Sequence, residues 1–317
     1  MKSLKKSIQH AGLIYFSVNI IVSSLCFLSE SVKASEMIEV KYLFKFKTNK
    51  SMCDLRVNNI PAINNTEASL GIMSAGFNFT SFLSNGNNSV EILMGPQKYN
   101  DPKTLYLDSS CEVTVSKDTK DTSMEIAKFR LSVNDKGEIT ARNSSHYNGG
   151  QFNTQIIEGY TKNEKDYGLY KLSSNLLISG LPQWEWTKAT PVTEKDLPMI
   201  RKAYENIWWM IQKRDIDSLK KVSQISTNEM AYAEGTTTGI IFVSTDLPAH
   251  VLDKTLTPLP IDWNKYKLIT YKGGYLFRMG VGYYQNSPLK FQDSTGKVVF
   301  GYAPYFSIIN GQVVLVR

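Results

Sequence analysis

From Ile38 to about residue 180 the chain alternates apolar and polar side chains with a period of two. Val40, Tyr42, Phe44 and Phe46 interleave with Lys41, Lys45 and Lys47, and the same alternation recurs over 53–57, 90–94, 111–115 and 127–133. Successive side chains of a strand point to opposite faces, so each run predicts a strand with one face buried and one wet. Polar stretches at Asn58-Asn59, Asn85-Gly86-Asn87-Asn88 and Asn134-Asp135-Lys136-Gly137 supply residues that tolerate the left-handed backbone of tight turns. Strands at this spacing, with no helical pattern between them, predict an antiparallel β-sandwich over residues 35–180.

The period then changes. A stretch at 181–192, containing Trp184-Glu185-Trp186 and Thr190-Pro191, reads as a linker. Beyond it Leu197, Ile200, Tyr204, Trp208 and Ile211 recur at spacings of three and four, which paints one apolar stripe along a helix. Thr193 and Asp196 are its candidate caps; Pro198 fits only in a first turn, which favours Asp196, and the helix is expected to stop near Arg214. Asp215 to Leu219 predicts a second helix, and Ser226-Thr227-Asn228-Glu229 has capping-box spacing for a third. Hairpin signals follow at Gly273-Gly274 and Asn310-Gly311, with a further turn at Asp293-Ser294-Thr295-Gly296. The expected class is α+β: an N-terminal antiparallel sandwich, then a domain over 193–317 with two or three helices and a curved antiparallel sheet.

The first 34 residues have a different grammar. Lys2, Lys5 and Lys6 precede an apolar run from Ala11 to Leu28, and Val32-Lys33-Ala34 offers the small residues of a cleavage site, which predicts a secretory signal peptide over 1–34. A membrane anchor is the alternative, but Ser17, Asn19, Ser23 and Ser24 interrupt the run and leave it marginal for a hydrocarbon core about 30 Å thick. Leu25 before Cys26 argues against a lipoprotein signal. The expected location is periplasmic or secreted, with no stable membrane insertion after cleavage. Loss of four lysines and one glutamate with the leader takes the net charge from +7 to +4. That balance favours an acidic-faced protein partner and falls short of a nucleic-acid footprint. It also leaves Cys53 and Cys111 as an even pair in an oxidising compartment, each in phase with the apolar face of its strand, so a disulfide across two inner faces is expected. Two buried free thiols are the other reading.

Reactive constellations are hard to assemble from what remains. His146 and His250 fall in different predicted domains, so no nucleophile with a histidine base follows from the sequence. His146 sits in a polar stretch, 143–150, that reads as an exposed loop. Gly71-Ile72-Met73-Ser74-Ala75-Gly76 lacks the spacing of a nucleophile elbow, and Gly280-Val281-Gly282 lacks the rest of a dinucleotide loop. Asp215 and Asp217 sit where capping and the helix dipole select them. No cofactor, metal site or catalytic residue is expected. Two binding surfaces are. Tyr275, Phe277, Tyr283, Tyr284, Tyr302 and Tyr305 crowd the C-terminal sheet as candidate protein-binding aromatics. Trp184, Trp186 and Trp263, with Asp262 and Glu185 beside them, are the candidate glycan-binding set.

Three stretches carry family resemblances. Leu55-Arg56-Val57-Asn58-Asn59-Ile60-Pro61, Asn78-Phe79-Thr80-Ser81-Phe82-Leu83 and Gly86-Asn87-Asn88-Ser89-Val90-Glu91-Ile92 resemble a jelly-roll accessory sandwich of glycoside hydrolases. Tyr204-x-x-Ile207-Trp208 with Asp215-x-Asp217-x-x-Leu219 is similar to the cone-shaped domains related to nuclear transport factor 2. Tyr275-Leu276-Phe277-Arg278-Met279, Ser287-Pro288-Leu289-Lys290-Phe291 and Tyr302-Ala303-Pro304-Tyr305-Phe306-Ser307 resemble the C-terminal sheets of exported bacterial immunity proteins. The last resemblance implies a non-enzymatic periplasmic protein that occludes a toxin effector acting in the cell envelope. The first implies an envelope glycan-binding or glycan-hydrolysing protein instead.

Overall fold

The computed structural model describes residues 38–141, 145–148, 151–152, 156–163 and 166–317, so the leader expected over 1–34 lies outside the described residues. Seven strands open the fold: β1 (Val40–Asn49), β2 (Ser51–Val57), β3 (Ile60–Asn64), β4 (Met73–Asn78), β5 (Gly86–Pro96), β6 (Ser110–Thr119) and β7 (Ser123–Val133). Five shorter or later ones complete this half: β8 (Ile139–Thr140), β9 (Ser145–Asn148), β10 (Gln151–Phe152), β11 (Ile157–Tyr160) and β12 (Tyr170–Ile178). They form two antiparallel sheets, ordered β10-β9-β7-β6-β1-β4, with β8 on β7, and β11-β12-β5-β2-β3.

The alternation seen along the chain is the alternation between inner and outer faces. Tyr42, Phe44 and Phe46 of β1 are buried while Lys45 and Lys47 face solvent. Opposite them lie Cys53, Leu55 and Val57 of β2 and Val90, Ile92 and Met94 of β5, in one continuous core. Full burial of such side chains stabilises by about 1.5–3 kcal/mol each. Cys53 on one sheet and Cys111 on the other form a disulfide, with 6.0 Å between their Cα atoms and a sequence separation of 58. In the chain-entropy picture that link contributes about 4 kcal/mol.

Two polar stretches expected as loops are strand. Residues 145–148, around His146, pair with β7 and β10. Asn87 and Asn88 belong to β5. The buried Asn88 amide donates to the carbonyls of Ser84 and Gly86 at 2.7 and 3.0 Å, so a side chain supplies the hydrogen bonds that close the 84–88 bend.

The C-terminal part contains five helices, more than expected: α1 (Leu197–Gln212), α2 (Ile216–Val222), α3 (Gln224–Glu234), α4 (Thr238–Ser244) and α5 (Leu247–Leu252). Asp215 caps α2 by accepting from the Ser218 amide. The Asp196 carboxylate accepts instead from Thr193, closing the short 194–196 turn before α1. Ser226 and Glu229 form no capping box, because α3 starts two residues earlier. Seven strands follow in two sheets: β13 (Thr257–Pro258), β14 (Lys267–Tyr271), β15 (Leu276–Gly280), β16 (Leu289–Gln292), β17 (Val298–Tyr302), β18 (Phe306–Ile309) and β19 (Gln312–Leu315). Their orders are β13-β16-β17 and β14-β15-β18-β19. Ile200, Tyr204, Ile207 and Ile211 of α1 pack against Phe277, Met279, Phe306 and Ile308 in a second core.

The 181–192 stretch, expected as a linker, buries Leu181, Trp184, Trp186, Ala189 and Val192 and exposes Gln183, Lys188, Thr190 and Pro191. Trp184 and Trp186 are 2% and 1% exposed, and their indole N–H groups donate to the carbonyls of Leu83 and Ser81. Thr190 and Val192 donate to the carbonyls of Ile308 and Gly274. The first core also takes in Tyr271, Leu276, Tyr305 and Val316. The described residues accordingly form one unit. No helix among the described residues is long and apolar enough to cross a membrane.

Candidate functional site

A cleft of about 590 Å³ opens at the seam between the sandwich and the C-terminal sheet. Tight turns build its walls. Asn58 and Asn59 join β2 to β3 with φ of 54° and 66°, a conformation asparagine adopts more readily than other side chains. From the other side, Lys272, Gly273 and Gly274 run left-handed at φ 48°, 69° and 90°. Gly274 is fixed there, since an added Cβ would lie 3.3 Å from the Val192 nitrogen and the Gly274 carbonyl accepts from that nitrogen. For lysine such a backbone is strained, a condition that persists only where the surroundings over-determine it.

The strained turn delivers the Lys272 ammonium to the cleft wall. Its Nζ donates to the Asn87 carbonyl at 2.5 Å and to the Oδ1 atoms of Asn88 and Asn58 at 3.3 and 3.4 Å. Burial holds this ammonium below the usual lysine range. No carboxylate pairs with it among the described residues. The amides divide into two groups. Asn58 and Asn88 are buried and bonded to each other at 2.9 Å, and Asn85 is held by both groups of the Leu181 backbone. Asn59, Asn87 and Asn175 also line the cleft but are exposed. Their side-chain amides make no hydrogen bond to other described residues, so each can both donate and accept.

A second polar cluster crosses the same seam. The Asp54 carboxylate accepts from Tyr283 at 2.7 Å and pairs with Arg56 at 3.1 Å, while Arg56 also pairs with Asp166 at 2.7 Å. Burial raises the Asp54 carboxyl above its ordinary 3.8, with Arg56 opposing. Asp54 Oδ2 takes both Arg56 and Tyr283, and Asp166 Oδ1 takes Arg56, so the cluster acts as a strut between the two parts.

The aromatic set expected to meet a protein partner is scattered. Phe277 is fully buried against α1, and Tyr305 is 8% exposed with its ring over Arg278. β15 is buried along its whole length, with Leu276 in the first core and Phe277 in the second, and Tyr305 joins the first core, so neither side chain forms part of a surface. Tyr283 is half-buried and committed to Asp54, and Tyr302 is half-buried in an apolar cavity beneath α3 and α4. Tyr275 and Tyr284 remain exposed, at 37% and 49%.

The glycan set does not converge either. Trp184 and Trp186 belong to the first core, whereas Trp263 packs against the second and donates to Glu205 at 3.0 Å. Glu185 pairs with Lys188 and Asp262 with Lys265. Trp186 reaches the floor of the cleft but, at 1% exposure, offers no ring face for stacking. The exposed ring in the cleft is that of Tyr275. Lys272, Asn59, Asn87 and Asn175 were not marked by sequence reasoning as site residues. For the first three the sequence signal is a lysine before two glycines and two Asn-Asn pairs, which read as turn chemistry alone; Asn175, between Ser174 and Leu176, carries none.

No group of three potential metal ligands occurs among the described residues. No protein-family model, no curated protein and no solved structure matches the chain.

Proposed function

We propose that this chain is an exported binding protein that holds a polar, hydroxyl-rich ligand, an envelope glycan being the simplest case, in the amide-lined cleft at its seam. The observation that carries this reading is the trio of exposed amides, Asn59, Asn87 and Asn175, beside the Tyr275 ring. Amides that both donate and accept match hydroxyl groups, and an exposed aromatic ring supplies the apolar face that a pyranose presents to protein. Export is supported by the leader grammar and by a disulfide buried between the sheets. A glycan array followed by calorimetry with soluble peptidoglycan fragments tests it. Saturable binding is expected, roughly 10- to 30-fold weaker in the Asn59→Ala/Asn87→Ala double variant, at about 1 kcal/mol per hydrogen bond. Absence of binding to any hydroxylated ligand, or an unaffected double variant, would overturn it.

A second reading is an immunity-type protein that occludes an acidic-faced effector. Tyr275 and Tyr284 favour it, as exposed aromatics on the C-terminal part, the side-chain type that anchors interfaces. Recovery from periplasm of a protein partner that is lost in the Tyr275→Ala/Tyr284→Ala variant, with no glycan binding, would favour this reading over the first.

A further inference from the structure

A pocket of about 400 Å³ that shares no residue with the amide cleft lies between β15, β16 and β17. Arg278 forms one wall. The residue is 6% exposed, yet no carboxylate pairs with it among the described residues. Neutral groups hold its guanidinium: Nε donates to Tyr271 Oη at 3.0 Å and Nη2 to Gln285 Oε1 at 2.9 Å. Tyr271 in turn donates to Gln285 Oε1, closing a three-membered ring of hydrogen bonds. The Tyr305 ring stacks 4.7 Å from the guanidinium carbon, which offsets part of the desolvation. The remaining nitrogen, Nη1, has no partner among the described residues and is not one of the fully shielded orphan atoms. It is therefore left open on the pocket.

The backbone is shaped around this arrangement. Gln285 adopts φ 52°, and its carbonyl lies 2.9 Å from where a Cβ on Gly280 would sit. Only glycine lets the 281–286 hairpin close far enough to bring the Gln285 amide onto Arg278. Lys290, whose ammonium lies 5.7 Å from the centre of the Tyr266 ring, lines the same pocket with no acidic partner among the described residues, and Asn286 and Ser287 add neutral polar groups. No carboxylate lines the space. A buried cation without a counter-charge is unfavourable unless an anion completes it, and arginine's planar fork suits the paired oxygens of a carboxylate or phosphate.

We infer that Arg278 and Lys290 form an oxyanion-binding pocket, which receives the phosphate or carboxylate group of a small ligand. The volume exceeds that of the bare anion, so the ligand carries a small body behind its charged head. Titration of the mature protein with inorganic phosphate and, separately, with acetate, at fixed ionic strength, tests this by calorimetry and by amide shifts of Gln285, Asn286 and Ser287. Saturable binding of at least one probe in the millimolar range is expected. Preference for phosphate assigns a phosphorylated ligand, and preference for acetate assigns a carboxylate. Lys290→Gln, at the partly exposed rim, is expected to weaken binding about fivefold, and Arg278→Lys, which keeps the charge but loses the fork, about tenfold or more. Should Arg278→Lys fail to fold, Lys290→Gln decides. No saturable response to either probe, or unchanged affinity in the folded variants, would overturn the proposal.

Discussion

In the sandwich, β1 and its neighbours turn an almost unbroken set of apolar side chains inward, and a disulfide joins the two inner faces. In the C-terminal part, one helix stripe packs on two small sheets, and no cysteine is present. The seam between them is different again. Lys272 to Asn87, Tyr283 to Asp54, and Arg317 to Glu229 all cross it or lie against it, beside the interior Trp184 and Trp186. Apolar packing continues across the seam through Trp184, Trp186, Tyr271, Leu276 and Tyr305, and hydrogen bonds and buried charges are added to it there. Polar groups that need partners thus concentrate where a ligand could also be held.

The contrast can be broken most severely from within the sandwich. Phe44 is fully buried between Phe77 and Phe79, with ring centroids 5.7 Å from each. Phe44→Ala should cost about 3–5 kcal/mol, read as a lowered denaturation midpoint in one cooperative step. Replacing Cys53 and Cys111 together with alanine should cost about 4 kcal/mol. If the comparison holds, hydrogen exchange will rise first in β2 and β6 and last in α1; uniform loosening would argue against a link specific to the sandwich.

Charges at the seam give the next effect. The Arg317 side chain is fully buried and pairs with Glu229 at 2.6 Å. Glu229→Gln leaves that guanidinium without its anion, and a loss of about 3 kcal/mol in chemical denaturation is expected. The smallest effect concerns Asp54. Its raised pKa means that the folded state holds the proton more tightly than the unfolded chain. This group's contribution is therefore fully present below about pH 3.8 and is lost as pH rises through the folded value. Relative to Asp54→Asn, the wild type should gain stability as pH falls from 7 toward 4. Parallel melting profiles for the two proteins would contradict the raised value.

The sandwich was legible because a period of two is visible in runs as short as five residues, and because Cys53 and Cys111 share the phase of their apolar neighbours. The stripe on α1 was legible for the same reason at a period of 3.6. Helices α4 and α5 span 7 and 6 residues, two turns or fewer, too few for that period to show. Ser226 and Glu229 matched a capping box in spacing, but Glu229 is engaged by Arg317 and by the Glu185 amide, partners supplied by the fold. The cleft gathers positions 58–59, 87, 175 and 272, which only tertiary packing brings together. The burial of Phe277 was hidden for a related reason: alternation suggests one wet face for its strand, whereas both faces of β15 are covered by tertiary packing.

Lys272 offers a practical handle on its own cleft. Burial holds its ammonium below the usual lysine range, while the Asn87 carbonyl and the Asn58 and Asn88 side chains hold the nitrogen at the cleft wall. Trace acylation followed by peptide mapping reads how far reagent reaches position 272 when the cleft is empty. A bound molecule lying across Asn87 would mask that position, so the labelling pattern would report occupancy without any tag.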